Sequence, residues 1–122
     1  MKRQTERRAH PRLAEKHKVT ATVASCPEET AIEGRQFTGQ TRNLSTGGFQ
    51  FVARRSFPVG TIMDIRLECS RPYEVVQRQA RVVWCQETAS ANRPLVGVYF
   101  SDKSKEKAIA WRRMLNRRIE QS

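Results

Sequence analysis

The sequence predicts an all-β domain, a small antiparallel barrel covered on one side by a C-terminal helix. Three observations carry this. Apolar and polar residues alternate over short segments, turn-forming clusters separate those segments at regular spacing, and only from about Lys103 does the apolar period lengthen to that of a helix. The 122 residues suit one domain spanning 1–122, because a second core would be too small to stand alone.

Residues 1–17 have no sustained apolar period, are broken by His10-Pro11, and read as a flexible arginine-rich arm. The barrel is expected over 18–101. It opens with Val19, Ala21 and Val23 on one face and Lys18, Thr20 and Thr22 on the other, the pattern of a half-buried strand, which ends at Pro27-Glu28-Glu29. Residues 33–44, rich in Thr, Gln and Arg around Phe37, suit a long, largely solvated strand. Asn43-Leu44-Ser45-Thr46-Gly47-Gly48 is a dense turn signal, after which Phe49 and Phe51 flank Gln50 as in a strand. Beyond Phe57-Pro58-Val59-Gly60, Met63, Ile65 and Leu67 alternate with Asp64, Arg66 and Glu68. The next strand, from Val75 to Cys85, places Val76, Ala80, Val82 and Trp84 on one face, with Arg78 interrupting it. Asn92-Arg93-Pro94 precedes a last strand carrying Val96, Val98 and Phe100. Residues 102–120 form the helix, with Ala108, Trp111, Leu115 and Ile119 in one stripe and Ser101 or Asp102 as its cap. Arg112, Arg113, Arg117 and Arg118 lie mostly off that stripe and read as a solvated face.

The net charge of +11 resides at the ends: residues 1–18 and 103–122 each carry seven basic and two acidic side chains, leaving the middle almost neutral. Such a field attracts phosphates, whether on a nucleotide, a nucleic acid or a lipid surface. No apolar run approaches the roughly 20 residues of a membrane span, and the charged start is followed by no signal-like stretch. Cys26, Cys69 and Cys85 are odd in number and lack CxxC spacing, so neither a disulfide framework, a metal site nor a cofactor is expected, and a reducing cytoplasm fits. His10 and His17 have no partner motif, and no GxSxG, HExxH, P-loop or dinucleotide fingerprint is present, so a catalytic role is not expected.

Two short motifs remain. Arg7-Arg8-Ala9-His10-Pro11-Arg12 offers three guanidiniums, whose forks match phosphate oxygens and the Hoogsteen edge of guanine. By itself this is a basic arm. Asn43-x-Ser45-x-x-Gly48 gathers amide and hydroxyl groups at a tight turn, and by itself is a hairpin connection. In this order and spacing, Arg8-Ala9-His10-Pro11-Arg12 followed by Asn43–Gly48 resembles the signature of the PilZ domain, a bacterial cyclic di-GMP receptor. Val83-Trp84 and Gly97-Val98-Tyr99-Phe100 extend the resemblance over nearly the whole chain.

The resemblance implies a six-stranded antiparallel barrel with one C-terminal helix, and an N-terminal segment wrapping over ligand held beside the Asn43–Gly48 turn. Arg8 and Arg12 would clamp phosphates and guanine edges, Asn43 and Ser45 would hydrogen-bond a guanine, and Gly48 would keep the turn tight. An arginine at the position of Arg7 implies an intercalated cyclic di-GMP dimer. Asn43 stands where the family often has an acid. Trp84 either stacks on a guanine or fills the core against Trp111. Arg78 and Arg81 either add positive field or form a solvated strand face. The function expected is that of a ligand-dependent adaptor with a protein effector. The alternative is a basic barrel binding RNA or single-stranded DNA, against which Phe49, Phe51 and Phe100 alternate like core residues rather than base platforms. A family member that scaffolds without nucleotide would usually lack the arginines and the turn motif, both retained here.

Overall fold

Side-chain alternation becomes burial alternation in the computed structural model, which describes residues 12–90 and 92–121. Strand β1 is the two-residue Arg12–Leu13, followed by β2 (Lys18–Ser25), in which Val19, Ala21 and Val23 are buried. Then come β3 (Gln36–Ser45), β4 (Gly48–Val52), β5 (Ile62–Cys69), β6 (Glu74–Gln86) and β7 (Leu95–Phe100). Helix α1 spans Lys105–Gln121.

The strands pair antiparallel in the order β3-β2-β5-β6-β7-β4, and β4 returns to β3, so six strands close a barrel and, among the described residues, no long sheet edge remains. This is the architecture the alternation and the family resemblance imply. The short β1 adds to β3 beyond the end of β2, with Arg12 opposite Ser45 and Leu13 opposite Leu44. Leu13, Val19, Leu44, Phe51, Met63, Leu67, Val82, Val96 and Leu115 fill the interior, each such side chain contributing about 1.5–3 kcal/mol when fully buried.

Helix α1 closes one end. Trp111 packs edge-on against Phe100, ring centroids 4.8 Å apart, with Met114 and Leu115 buried beside it. The cap is Ser104, whose Oγ accepts from the Lys107 N–H at 3.1 Å, and not Ser101 or Asp102. Asp102 is drawn away because its carboxylate accepts from Arg78, Nε at 2.9 Å and Nη2 at 2.8 Å.

Two arginines differ from the sequence expectation. Arg78 belongs to the inward phase of β6 and is buried, its guanidinium paired with Asp102 and lying 3.9 Å from the Phe100 ring centroid. It therefore forms no solvated face. Arg118 is also buried, donating to Glu74, Glu15 and the carbonyl oxygens of Ser70 and Pro72. The buried residues of the helix are thus Trp111, Met114, Leu115 and Arg118, with Ile119 partly buried against the core as the sequence stripe implies.

Candidate ligand-binding site

The segment between Arg12 and β2 is pinned to the barrel. Thr41 Oγ1 accepts from the His17 N–H at 2.8 Å and donates to the Glu15 carbonyl at 3.0 Å, while Leu13 is buried. These contacts hold β1 on the end of β3, and the register then sets Arg12 beside Ser45. The last arginine of the RxxxR motif and the centre of the NxSxxG turn, 33 positions apart in sequence, are neighbours across one ladder. Arg7 and Arg8 lie outside the described residues.

The turn itself is fixed from three sides. Ser45 Oγ donates to the Gly48 carbonyl at 3.2 Å, the Phe100 N–H donates to the Gly47 carbonyl at 2.9 Å, and Trp111 Nε1–H donates to the Ser45 carbonyl at 2.8 Å. Gly48 is required by close approach: a Cβ there would sit 2.0 Å from the Val98 carbonyl oxygen. The constraint is thus the neighbouring strand β7 rather than the tightness of the turn.

A register irregularity between Thr41 and Asn43 interrupts the ladder, with Thr41 and Leu44 buried while Arg42 and Asn43 lie on the outside. A second irregularity, between Val82 and Trp84, shifts the phase of β6. Val82 faces the core opposite Val98, but Trp84 lies opposite Gly97 on the outer face. The sequence expectation that Trp84 shares the face of Val82 is corrected, and Trp111 takes Phe100 as its aromatic neighbour instead. The indole lies against the Gly97 backbone so closely that a Cβ there would be 2.3 Å from Cε2, which accounts for the glycine of the Gly97–Phe100 segment.

These displacements gather Arg12, Asn43, Ser45, Gln50, Trp84 and Tyr99 around one surface concavity of about 120 Å³, whose lining carries no carboxylate among the described residues. Gln50 and Tyr99 escape notice in the sequence. Tyr99 is 62% exposed, and its outward phase, between buried Val98 and half-buried Phe100, was a signal available in the alternation of β7. Among the described residues the guanidinium of Arg12 and the side-chain amide of Asn43 have no protein partner. A cation, amide and hydroxyl groups and two rings on a rigid floor suit an anionic ligand with planar, hydrogen-bonding bases. Arg78 adds little to this field. Its charge is offset by Asp102, whose carboxyl the hydrogen bonds from Arg78 hold below the usual carboxylate range.

The PilZ domain family model matches residues 6–121. The chain belongs to that family. No curated protein matches it by sequence. Among solved structures, the Bacillus subtilis inhibitor of motility, MotI/DgrA, is similar with a TM-score of 0.72 at 15% identity, over 95% of this chain and 53% of that one. YcgR from Escherichia coli in complex with c-di-GMP gives 0.73 at 14% identity, over 94% and 47%. The c-di-GMP-bound PilZ domain of the same protein gives 0.67 at 15%, over 94% and 95%. The chain thus spans about half the length of the first two and nearly all of the isolated domain, and at these identities the likeness shows the fold. Among the described residues no helix is long and apolar enough to cross a membrane, and no cluster of His, Cys, Asp and Glu is placed to hold a metal ion.

Proposed function

We propose that this PilZ domain binds cyclic di-GMP on the outer face where β1, the β3–β4 turn and β6–β7 meet, and acts as a ligand-dependent adaptor for a protein effector. The observation that supports the reading is the Arg12–Ser45 register, which brings the last arginine of RxxxR and the NxSxxG turn to one concavity. Arg12 and the preceding Arg8 clamp phosphates and guanine edges, Asn43 and Ser45 hydrogen-bond a guanine, and Trp84 and Tyr99 offer ring faces to the bases. The Asn43 amide both donates and accepts, unlike the acid common at this position in the family. Arg7, one residue before RxxxR, supports a second, intercalated ligand. No proton transfer or covalent step is needed: ligand orders the arm against the barrel and changes the surface a partner meets.

Calorimetric titration of the full chain with cyclic di-GMP tests this. Wild type releases heat with a stoichiometry of a ligand pair per chain. Arg8→Ala weakens binding at least about tenfold through loss of a charge-assisted bidentate contact. Arg7→Ala keeps one ligand and loses the second. Absence of heat from wild type refutes the reading, and a wild-type stoichiometry of one refutes the dimer. Single-stranded nucleic acid is the second reading, favoured by the outward placement of Tyr99 beside Trp84. It requires an oligonucleotide to displace cyclic di-GMP at moderate salt, whereas the buried Phe49 and Phe51 offer no further platform.

A further inference from the structure

On the same outer face, next to the ligand concavity, lies a broader groove of about 770 Å³. Lys16, Lys18, Arg42, Arg54 and Arg93 line it, together with Gln40, and among the described residues no carboxylate does. All five cations are exposed, and among the described residues none forms an ion pair. The contrast with the adjacent Arg55 is direct: its guanidinium is held by both Glu29 oxygens. The five charges come from the segment before β2, from β2, β3, the segment after β4 and the loop before β7, so the fold has converged them rather than a run of sequence.

We infer that this groove docks an acidic, extended segment of a partner protein. The charge and the chemistry of the lining both point there. Guanidinium forks of Arg42, Arg54 and Arg93 match carboxylates in paired hydrogen bonds, and Gln40 offers the backbone of such a segment a donor and an acceptor. The lining holds no aromatic side chain, so nucleotide bases have nothing to stack on. The chain's own ends do not suit it, since residues 1–11 carry four basic side chains against one acidic and α1 is basic too. A net charge of +11 likewise opposes a second copy.

The register irregularity in β3 joins this groove to the ligand site. Arg42 lines the groove and its neighbour Asn43 lines the concavity, while on β4 Val52 and Gln50 divide in the same way. Adjacent Cα atoms are about 3.8 Å apart, well inside the roughly 8 Å over which salt screens charge, so ligand and partner occupy one electrostatic neighbourhood. The inference rests on the adaptor reading in assigning the segment to an effector. The groove's preference for carboxylates stands apart from it.

Fluorescence anisotropy of a labelled peptide of alternating glutamate and serine, titrated with the full chain, tests the groove. Wild type binds it, and does not bind the same peptide with glutamine for glutamate. Lys16→Glu with Arg54→Glu, both exposed and outside the ligand concavity, weakens binding at least about tenfold while thermal unfolding stays unchanged. Equal binding of the two peptides, or an unchanged affinity in the double variant, overturns the inference. So does a single-stranded oligothymidine that binds more tightly and loses its affinity in the same variant, since the groove then reads phosphate. Calorimetry with cyclic di-GMP on the same two proteins keeps the proposals separate: ligand heat without peptide binding sinks the groove alone, and peptide binding without ligand heat sinks the receptor reading alone.

Discussion

Arg78 and Arg118 on one side, and Arg12, Arg42 and Arg54 on the other, are the same residue type put to opposite uses. Each buried guanidinium faces carboxylates supplied from far along the chain, Asp102 for Arg78 and Glu15 with Glu74 for Arg118. The outer arginines meet no carboxylate among the described residues. A cation whose charge is cancelled inside the fold ties strands and helix together, whereas one left uncancelled on a rigid surface is available to an anion from outside. The distribution of acids, rather than that of arginines, separates the structural positions from the binding ones.

The largest expected effect tests that separation through stability. Arg78→Ala leaves the Asp102 carboxylate, whose side chain is 13% exposed, without its partner, and strips a guanidinium from the Phe100 face. Removing one member of a buried pair costs about 3–5 kcal/mol. Arg54→Ala, at an exposed site with no ion pair among the described residues, stays within about 0.5 kcal/mol of wild type. Urea unfolding of both variants checks this, and equal midpoints erase the distinction.

A smaller effect is expected at Gly97, where the outer face meets the core. A methyl group there overlaps the indole of Trp84, so Gly97→Ala drives the ring off β7. Overpacking of this kind costs about 1–3 kcal/mol. Because Trp84 lines the proposed site, affinity for cyclic di-GMP falls with it, and tryptophan emission shifts as the ring becomes more exposed. Unaltered ligand affinity despite the emission shift removes Trp84 from the site.

The strands were legible because their alternation is physical: Val19, Ala21, Val23 and Met63, Ile65, Leu67 each cover one face of a pleated sheet. Closure followed from strand number and spacing together with the family resemblance. What escaped was the insertion of single extra residues. Nothing in Val82-Val83-Trp84 announces that the ladder slips there, and a one-residue slip moves a side chain to the other face. Arg78 is in phase with Val76, Ala80 and Val82, and Arg118 falls three and four residues after Leu115 and Met114, so their periodicity did point inward. Their charge argued otherwise, and the carboxylates that reconcile the two lie on other elements. The RxxxR and NxSxxG pairing was readable only as a family pattern, because the β1–β3 ladder that unites Arg12 with Ser45 is two residues long.

The Arg78–Asp102 pair also gives acid sensitivity a definite sign. Hydrogen bonds from Arg78 lower the Asp102 carboxyl below its ordinary value. A carboxylate depressed in the folded state contributes stability that is fully present above its unfolded pKa of about 3.9 and is lost as pH falls through the lower folded value. Wild-type stability therefore declines below about pH 4. In Asp102→Asn that share of the pH dependence is absent, so the stability curve is lower at neutral pH and flatter at the acid end. Parallel curves for the two proteins place the titrating group elsewhere.

The smallest effect leaves stability untouched and reads the interior beside Arg118. Cys69 is buried there, and desolvation pushes its thiol up to about 11. Arg118 pulls in the other direction, but Glu74 and Glu15 oppose it, so burial decides. At pH 8 a thiol with a pKa near 8.5 is about one-quarter thiolate, whereas one near 11 is about one-thousandth. Alkylation of native protein by iodoacetamide, followed by peptide mass analysis, is expected to modify Cys69 at least about a hundredfold more slowly than a free cysteine, with a rate still rising at pH 10. A rate that levels off near pH 9 would mean that the arginine's charge is not cancelled at this end of the barrel, and that Arg118 belongs with the uncancelled cations of the outer face.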